Sequence, residues 1–400
     1  MSDTQKHTKP NVPNLRFPGF EGEWECNKLS TYLYENKERN RAGEFNKSDV
    51  LSVSGDCGIV NQIELLGRSF AGKSVADYHI VRAGNIVYTK SPLKEYPFGI
   101  VKYNSGKDGI VSTLYAVYHH RENVNGRFVE HYFTSPQRTN RYFKPIVRIG
   151  AKHDMKIGNN EVLDNTVFFP GLEEQNKITE LLDLLDQRIA IQNKVIEDLK
   201  CVKESITRRL INQKDESSRI VTLGEITEIV SRRNKNKENY PMYSVTNDKG
   251  FVPQEELFED REMVGEDIGV YKIVLKDEIA YNPARINVGS IGQYTGDSPC
   301  MISSLYVCIK ARKGIDSKWL IQILRSEHLV YYYNLFAEGG VRLYLFYPNF
   351  SRIRVTLPPL EQQSRIAAIL GQIENKIKLE SSILSGYRQT KQALLCKLFV

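Results

Sequence analysis

Pro170-Gly-Leu-Glu-Glu-Gln-Asn-Lys-Ile178 occurs a second time as Pro358-Pro-Leu-Glu-Gln-Gln-Ser-Arg-Ile366. The match continues without a gap to Ile211 in the first copy and to Phe399 in the second. A repeat of this length sets the architecture, because each copy folds as the same structural unit. The sequence therefore predicts two equivalent long elements, each preceded by a segment of a different kind.

Each copy predicts one long helix with a heptad seam. Apolar residues recur at steps of four and three, which is the pattern of a coiled coil. The seam residues are Ile178, Leu182, Leu185, Ile189, Ile196, Leu199, Ile206 and Leu210 in the first copy, and Ile366, Leu370, Ile373, Ile377, Leu384, Tyr387, Leu394 and Leu398 in the second. Proline just before the helix and glutamate in its first turn both favour a helix start.

Four polar residues interrupt the two seams at equivalent positions: Gln192, Lys203, Glu380 and Lys391. An antiparallel pairing with pseudo-twofold symmetry places Lys203 opposite Glu380 and Gln192 opposite Lys391, and leaves apolar residues facing apolar ones. Because a half-buried charge without a partner is costly, these polar layers are predicted to set the register of the pair. Ile178, Leu182, Ile366 and Leu370 lie beyond the overlap and are expected to pack on the heads or on partner subunits.

The segments before the two helices also resemble each other. Ser52-Val-Ser-Gly-Asp-Cys-Gly-Ile-Val-Asn-Gln62 matches Ser244-Val-Thr-Asn-Asp-Lys-Gly-Phe-Val-Pro-Gln254, and Tyr78-His-Ile-Val matches Tyr271-Lys-Ile-Val. Short β-branched runs broken by Gly, Asn and Pro predict a mixed α/β head in each half, with a helix near 126–134 in the first. The intervening loops differ, which is typical of one frame that recognises two different targets.

Composition limits the function classes. The chain has 400 residues, 26% of them charged, and a net charge of +7, which is compatible with DNA binding. No apolar run approaches the length of a membrane span, and the N-terminus has no apolar signal core, so a cytoplasmic protein is expected. The six cysteines form no C-x-x-C pair and are expected to be reduced thiols.

One nucleotide-binding pattern lacks its required context. Gly67-Arg-Ser-Phe-Ala-Gly-Lys73-Ser74 satisfies the P-loop spacing, but a P-loop needs a strand before it and a helix after it. The following residues, from Val75, indicate a strand instead. In the second half Gly265-Glu266-Asp267 stands at this position, and acidic groups there would repel a phosphate.

No catalytic or metal site is predicted. Asn282-Pro283-Ala284-Arg285 resembles the Asn-Pro-Pro-aromatic tetrad of amino-methyltransferases but lacks the aromatic residue, so a turn or a DNA contact is favoured. His119, His120 and His131 do not have the spacing of metal ligands. We therefore expect this chain to bind no cofactor or metal.

Two heads, each followed by a long helix that begins with a Pro-x-Leu-Glu-x-Gln box, resemble the specificity subunit of type I restriction–modification enzymes. The resemblance implies two target-recognition domains that read the halves of an asymmetric, bipartite DNA site, and helices that set the gap between these halves. It further implies two modification subunits carrying S-adenosylmethionine and two restriction subunits using ATP and Mg²⁺. The chain itself would choose the DNA sequence without catalysis, whereas the assembled complex would be a site-specific deoxyribonuclease and an adenine-specific DNA methyltransferase.

The predicted fold is α+β: two mixed α/β target-recognition domains separated by two long antiparallel coiled-coil helices in an internal pseudo-twofold repeat. The predicted boundaries are a disordered leader over 1–13, a first head over 14–169, a first spacer helix over 170–214, a second head over 215–357 and a second spacer helix over 358–400.

Loops that differ between the heads supply the predicted DNA contacts, because Arg can grip guanine and Asn adenine in the major groove, with contact to phosphate or solvent alone as the alternative for any one residue. These candidates are Arg68, Lys73, Lys90, Lys94, Arg232, Arg233, Asn282, Arg285, Asn287, Arg342 and Tyr344. The box residues Leu172, Glu173, Gln175, Leu360, Glu361 and Gln363 are predicted to dock the modification subunits, with local capping and packing as the alternative.

Two other functions remain open from the sequence. One is a coiled-coil adaptor whose heads bind no DNA, and the other is a nucleotide-binding protein using the P-loop-like stretch. DNA binding by the purified chain separates the first from a specificity subunit, and loss of ATP binding in Lys73→Ala would support the second.

Overall fold

Two units make up the chain in the computed structural model, which describes residues 11–149, 155–212, 217–257, 267–340 and 342–400. One unit is Met1–Gln192 with Ile383–Val400, and the other is Asn193–Ser382. Residues 1–10 of the expected leader and the expected boundary at 214–215 lie outside the described residues. Each unit contains one head and segments of both long helices.

The first head is built from short strands and three helices. Its strands are β1 (Glu25–Lys28), β2 (Leu33–Glu35), β3 (Leu51–Ser54), β4 (Gly58–Asn61), β5 (His79–Val81), β6 (Ile86–Thr89), β7 (Val101–Tyr103), β8 (Gly109–Val111), β9 (Tyr115–His120), β10 (Arg148–Ile149), β11 (Met155–Lys156) and β12 (Thr166–Phe169). Its helices are α1 (Gln62–Leu66), α2 (Gly126–Phe133) and α3 (Pro136–Phe143). The expected helix near 126–134 is confirmed as α2.

The first long helix, α4 (Leu172–Asn212), follows this head, and the second head comes next. The strands of the second head are β13 (Arg219–Thr222), β14 (Thr227–Val230), β15 (Tyr243–Thr246), β16 (Gly250–Pro253), β17 (Lys272–Val274), β18 (Ile279–Tyr281), β19 (Ile291–Gln293), β20 (Cys300–Ile302), β21 (Val307–Ala311) and β22 (Arg354–Leu357). Its helices are α5 (Leu223–Ile226), α6 (Gln254–Leu257), α7 (Ser317–Leu324), α8 (Glu327–Phe336) and α9 (Tyr347–Phe350), and the long helix α10 (Leu360–Lys397) ends the chain.

The two heads share one strand frame. The four-stranded sheet has the order β2-β9-β6-β7 in the first head and β14-β21-β18-β19 in the second. The antiparallel pairs β3–β4, β5–β8 and β1–β12 correspond to β15–β16, β17–β20 and β13–β22. The central strands β6 and β18 are buried along their whole length, which explains their β-branched and aromatic composition. The predicted repeat of the heads is therefore confirmed for these strands, while β10 and β11 of the first head have no counterpart among the described strands of the second.

The heptad pattern of α4 and α10 is confirmed by burial. Every predicted seam position is buried or half-buried, and most of the intervening positions are exposed. Ile178 and Leu182 belong to the core of the first head, and Ile366 and Leu370 belong to the core of the second. The expectation that these four residues pack on the heads is correct.

Within each unit the segments of α4 and α10 run antiparallel. In the first unit, Leu182 shares a core with Leu395 and Leu398, whereas the later α4 residue Asp186 contacts the earlier α10 residue Lys391. In the second unit, Ile206 and Leu210 of α4 pack against the core that contains Ile366 and Leu370. None of the described helices combines the length and apolar composition needed to cross a bilayer.

The polar partners in the coil differ from those predicted. Lys203 donates to Glu374 over 2.6 Å rather than facing Glu380, and Lys391 pairs with Asp186 rather than with Gln192. Glu380 forms an ion pair with Lys376 of its own helix. Each observed acid follows a seam residue by one position, and a long lysine stem can lie along the seam while its ammonium reaches such a flanking acid. The four residues do lie on the seam, and their role in setting the register stays a prediction.

The pair between Lys203 and Glu374 leads to a stability prediction. Burial raises the pKa of Glu374, but the hydrogen bond and charge of Lys203 outweigh it, so the pKa is lowered overall. A lowered folded-state pKa stabilises the fold above the unfolded-state value and loses this contribution as pH falls through the folded value. We expect Lys203→Met to lower the free energy of unfolding by about 1–2 kcal/mol at pH 7 and by less at pH 3.

Chemical denaturation at the two pH values measures this difference. Lys200→Met is the matched control, because Lys200 is an exposed residue of the same helix. Equal losses in the two variants, or a loss that does not depend on pH, would contradict the assignment.

Candidate nucleic-acid interface

The P-loop-like stretch has the wrong structural context for a nucleotide site. Residues 67–74 follow helix α1 and precede strand β5, which is the reverse of the strand-then-helix order that aims backbone amides at a phosphate. Lys73 is exposed on this loop, and Arg68 stacks over the ring of Phe70 at 4.5 Å. The matching Gly265 and Glu266 of the second half lie outside the described residues. Nucleotide binding by this stretch is therefore disfavoured.

Three predicted DNA contacts of the second head lie on one turn. The side chain of Asn282 accepts from the backbone N–H of Ala284 at 3.0 Å, an Asx turn that carries the chain away from β18. Arg285 follows on the exposed side of the turn, and Asn287 donates to Asn334 of α8 at 2.9 Å. The turn predicted for Asn282-Pro283-Ala284-Arg285 is thus present.

A hairpin carries two more candidates to the same turn. Glu338 and Tyr344 exchange backbone hydrogen bonds of 2.9 and 2.8 Å, and the buried Leu345 donates its N–H to the carbonyl of Pro283 at 2.9 Å. This hairpin needs glycine at Gly339, because φ is +129° there and a Cβ atom would lie 2.1 Å from the carbonyl of Arg342. The structure therefore brings Arg285 and Asn287 together with the loop of Arg342 and Tyr344.

The side chains on this hairpin form an exposed aromatic and cationic edge. The rings of Tyr344 and Phe346 stack with an interplanar angle of 3° and a centroid separation of 5.8 Å. Phe346 is 52% exposed, and Arg342 is also exposed. Such an edge can offer charge to phosphates and planar apolar contact to bases or sugars.

Two of the predicted DNA contacts are occupied by structural bonds. Lys90 donates to the carbonyl of Ile157 at 2.9 Å and to Asn159 at 2.6 Å, and burial lowers its pKa. Arg232 pairs with the buried Glu278, with both nitrogen–oxygen distances at 3.2 Å. Because the side chains of Lys90 and Arg232 already bind groups inside the heads, they are poorer candidates for DNA contacts than exposed side chains without such partners.

The remaining candidates are exposed but dispersed. Lys94 lies on the loop after β6, and Arg233 lies beyond β14. For the residues that the structure describes, neither side chain has a hydrogen bond or an ion pair within the chain.

The side chains of the box glutamines are buried and form hydrogen bonds within the chain. Gln175 accepts from the backbone N–H of Asn125 at 2.9 Å and donates to the carbonyl of Pro170 at 2.9 Å. Gln363 makes the same two bonds, to Asp316 and Pro358, each at 2.9 Å. Both side chains are buried, so Gln175 and Gln363 cannot be reached by a partner subunit in this conformation. The predicted partner contact of these two residues is therefore corrected to a bond within the chain, which neither reading of the sequence included.

Asn125 and Asp316 are the N-cap residues of α2 and α7. Each box glutamine therefore ties the first turn of a long helix to the capped start of a head helix. This link was not predicted from the sequence, although the repeat of Asn125 and Asp316 before equivalent helices was a usable signal. The other box residues, Leu172, Glu173, Leu360 and Glu361, are exposed.

A histidine and two aspartates lie close together where α2 meets the long helices. His131, Asp183 and Asp186 have the composition of a metal site, but Arg127 and His131 bind Asp183, and Lys391 binds Asp186. Burial raises the pKa of Asp183, and the hydrogen bonds from His131 and Arg127 outweigh it and lower the value to about 2. Cations of the chain thus already neutralise these carboxylates, so the group is an ion-pair network.

Comparisons with known proteins agree with this geometry. Residues 216–386 match the family model described as a type I restriction modification DNA specificity domain. A putative type I restriction enzyme specificity subunit of Haemophilus influenzae is 22% identical over 286 residues, covering 66% of this chain and 68% of that protein.

Two solved structures share the fold at low sequence identity. The S subunit of a type I restriction–modification system from M. genitalium has a TM-score of 0.59 and 14% identity, with 97% of this chain and 99% of that chain covered. A chain from a structural study of complex assembly and conformational transition in a type I system has a TM-score of 0.54 and 16% identity, with the same coverage. The resemblance found in the sequence is confirmed.

The junction made by Gln363 gives a testable prediction. Gln363→Ala removes two hydrogen bonds and leaves the N–H of Asp316 without its partner, which costs about 2–3 kcal/mol in free energy of unfolding. Hydrogen exchange at the amide of Asp316 should also become faster. Gln372→Ala is the control, because Gln372 is exposed on the same helix. Unchanged exchange at Asp316 would contradict the proposed link.

Proposed function

We propose that this chain, which resembles type I restriction–modification specificity subunits in sequence and fold, selects the DNA sequence for such a complex. Each head reads one half of a bipartite, asymmetric site, and the chain carries out no chemistry of its own. The observation that carries the proposal is one strand frame used twice with different loops at matching positions. Two identical heads would read a palindrome, whereas two unlike heads on one frame read two unlike half-sites.

The matching loops after β6 and β18 illustrate the difference between the heads. After β6 the chain continues as Lys90-Ser-Pro-Leu-Lys94, and after β18 as Asn282-Pro-Ala-Arg285. Lys90 is held inside the first head, while Arg285 is exposed on the second. A free guanidinium can make two parallel hydrogen bonds to a guanine, worth about 1–3 kcal/mol of discrimination. We therefore assign base reading in the second head to Arg285 and the Arg342–Phe346 edge, because Asn287 already donates to Asn334.

The exposed box residues support a role in assembly. Leu172 is 39% exposed and Leu360 is 51% exposed, at equivalent places in the repeat. A cavity of about 380 Å³ lies beside Leu172, and its lining combines Trp24 and Phe169 with Arg16 and five glutamates. Two exposed leucines at equivalent places suit two copies of one partner, and we assign them to two modification subunits.

The remaining parts of the proposed complex follow from the same resemblance. Two restriction subunits complete the assembly, which acts in the cytoplasm. S-adenosylmethionine, ATP and Mg²⁺ belong to the modification and restriction subunits, which carry out adenine methylation and DNA cleavage.

Exchange of one head tests the two-reader arrangement. Replacing residues 15–168 with the first head of another specificity subunit should change one half-site of the methylated sequence and leave the other intact. Long-read sequencing of methylated adenines in a host carrying the system measures the outcome. The reciprocal exchange of residues 219–357 should change only the other half. A change in both halves after one exchange would exclude two independent readers.

Charge placed at both box leucines tests docking. Leu172→Asp with Leu360→Asp should abolish co-purification with the modification subunit while the circular dichroism spectrum of the chain stays unchanged, because each aspartate buries a charge in an apolar contact. Leu114→Asp with Leu305→Asp is the matched control, since these leucines are also exposed and repeat-equivalent. Assembly that survives the box variant would show that the modification subunits bind elsewhere.

An adaptor that binds no DNA is the competing function. A gel shift with pooled genomic fragments, with and without the modification subunit, separates the two, because an adaptor retards no DNA under either condition.

A further inference from the structure

A short basic segment recurs in the two heads with the same hydrogen-bond geometry. Arg39-Asn40-Arg41 follows β2 in the first head, and Arg233-Asn234-Lys235 follows β14 in the second. The two segments occupy matching places, because Arg39 forms an isolated β-bridge with His79 of β5, and Arg233 forms one with Lys272 of β17. The surrounding sequences, Glu38 and Ala42 against Arg232 and Asn236, do not match.

The central asparagine is buried, and its side chain both accepts and donates a hydrogen bond within its loop. In the first head Asn40 is 2% exposed; it accepts from the N–H of Phe45 at 2.9 Å and donates to the carbonyl of Phe45 at 2.8 Å. In the second head Asn234 is 1% exposed and makes both bonds with Glu238, at 3.0 and 2.8 Å.

The backbone of each asparagine is fixed as well. Its N–H donates at 3.0 Å to the carbonyl of Tyr78 in the first head and of Tyr271 in the second. A clasp of this kind fixes the backbone that carries the basic residues before any ligand arrives, which lowers the entropy cost of ordering the loop on binding.

Three of the flanking cations, Arg41, Arg233 and Lys235, are exposed, and Arg39 is half-buried. Arg41 reaches the carboxylate of Asp77 at 3.8 Å with both side chains about four-fifths exposed, and Arg39 donates to the carbonyl of Asp77 at 3.0 Å. Arg233 and Lys235 are exposed and bind no acid within the part of the chain that the structure describes. Surface ion pairs of this kind are weak, so the positive charge is available to a ligand.

We propose that these two segments, the Asn-clasped basic loops, bind the phosphodiester backbone of DNA and contribute no sequence selection. The inference rests on the proposed function, which supplies DNA as the ligand. Two heads that read different bases still meet the same phosphodiester backbone. A basic loop that both heads have in common therefore suits binding to this shared feature of the two half-sites. Phosphate contacts position a protein on the duplex, whereas base contacts specify the sequence.

The pairing of Arg41 with Lys235 at matching positions points the same way. A phosphate accepts either cation as a point charge, whereas the rigid fork of a guanidinium suits the two-bond contact to a guanine better than a lysine ammonium does. An exchange between Arg and Lys is therefore tolerated at a phosphate and is costly at a base. Arg233 is one of the DNA contacts predicted from the sequence, and the clasped geometry assigns its contact to the backbone.

The salt dependence of binding tests the proposal on the full chain bound to its modification subunits. The probes are a duplex that contains the mapped methylation sequence and a duplex of equal length with that sequence scrambled. Arg39→Gln with Arg41→Gln, and separately Arg233→Gln with Lys235→Gln, should each weaken binding to both duplexes by the same factor. Each double variant should also make the slope of log K against log[salt] shallower by about 1.8, since each phosphate contact contributes about 0.9.

Two further variants separate charge from shape. Arg233→Lys with Lys235→Arg should keep the affinity, the slope and the preference between the duplexes. Lys107→Gln with Lys313→Gln removes an exposed cation from each head outside the clasped loops and should leave the slope unchanged.

The contrary results fall into two groups, one against backbone binding by these loops and one against the proposed function. An unchanged slope in both double variants, an equal effect of Lys107→Gln with Lys313→Gln, or a changed preference between the duplexes would refute backbone binding by these loops. A wild-type complex that binds neither duplex, or both equally, would instead refute the proposed function, and this inference would fall with it.

Discussion

A buried glutamine at the start of each long helix is the constraint on which the rest of the structure depends. Gln175 and Gln363 each accept from the N–H of a head helix's N-cap residue and donate to the carbonyl of the proline before the long helix. A buried amide that loses such partners is costly, so the angle between head and helix is tightly held. Because both units use the same bonds, the repeat extends from sequence to junction geometry.

A second polar layer, two to three turns further along, joins each head to both helices. In the second unit Gln322 of α7 and Lys203 of α4 both bind Glu374 of α10. In the first unit His131 of α2 binds Asp183 of α4, while Asp186 on the next turn of α4 binds Lys391 of α10. The two layers consist of different residues, but in each unit polar contacts join the head to one long helix and that helix to the other long helix. Apolar packing of the seam supplies stability, and these polar contacts restrict how the helices can slide.

Some basic side chains of the heads form bonds inside their own head, and others are exposed. Lys90 and Arg232 were attractive candidates for base reading, yet both are held by groups inside their own head. Arg285 and Arg342 are exposed on loops that the bond between Leu345 and Pro283 brings together. Exposed cations of this kind lie on loops, whereas Lys90 and Arg232 are bound to neighbouring parts of their own head.

The sequence by itself determined the repeat, the two long helices, the heptad seams and the shared strand frame, because periodicity and alternation are local properties of the chain. Only the tertiary structure decided which polar groups meet. Arg232 finds Glu278 across 46 residues, and Lys203 finds Glu374 across 171. A seam pattern orders residues along one helix, but it does not show how far a flexible lysine reaches along the next. The bonds of a buried glutamine or asparagine likewise depend on backbone groups that converge only when the chain has folded.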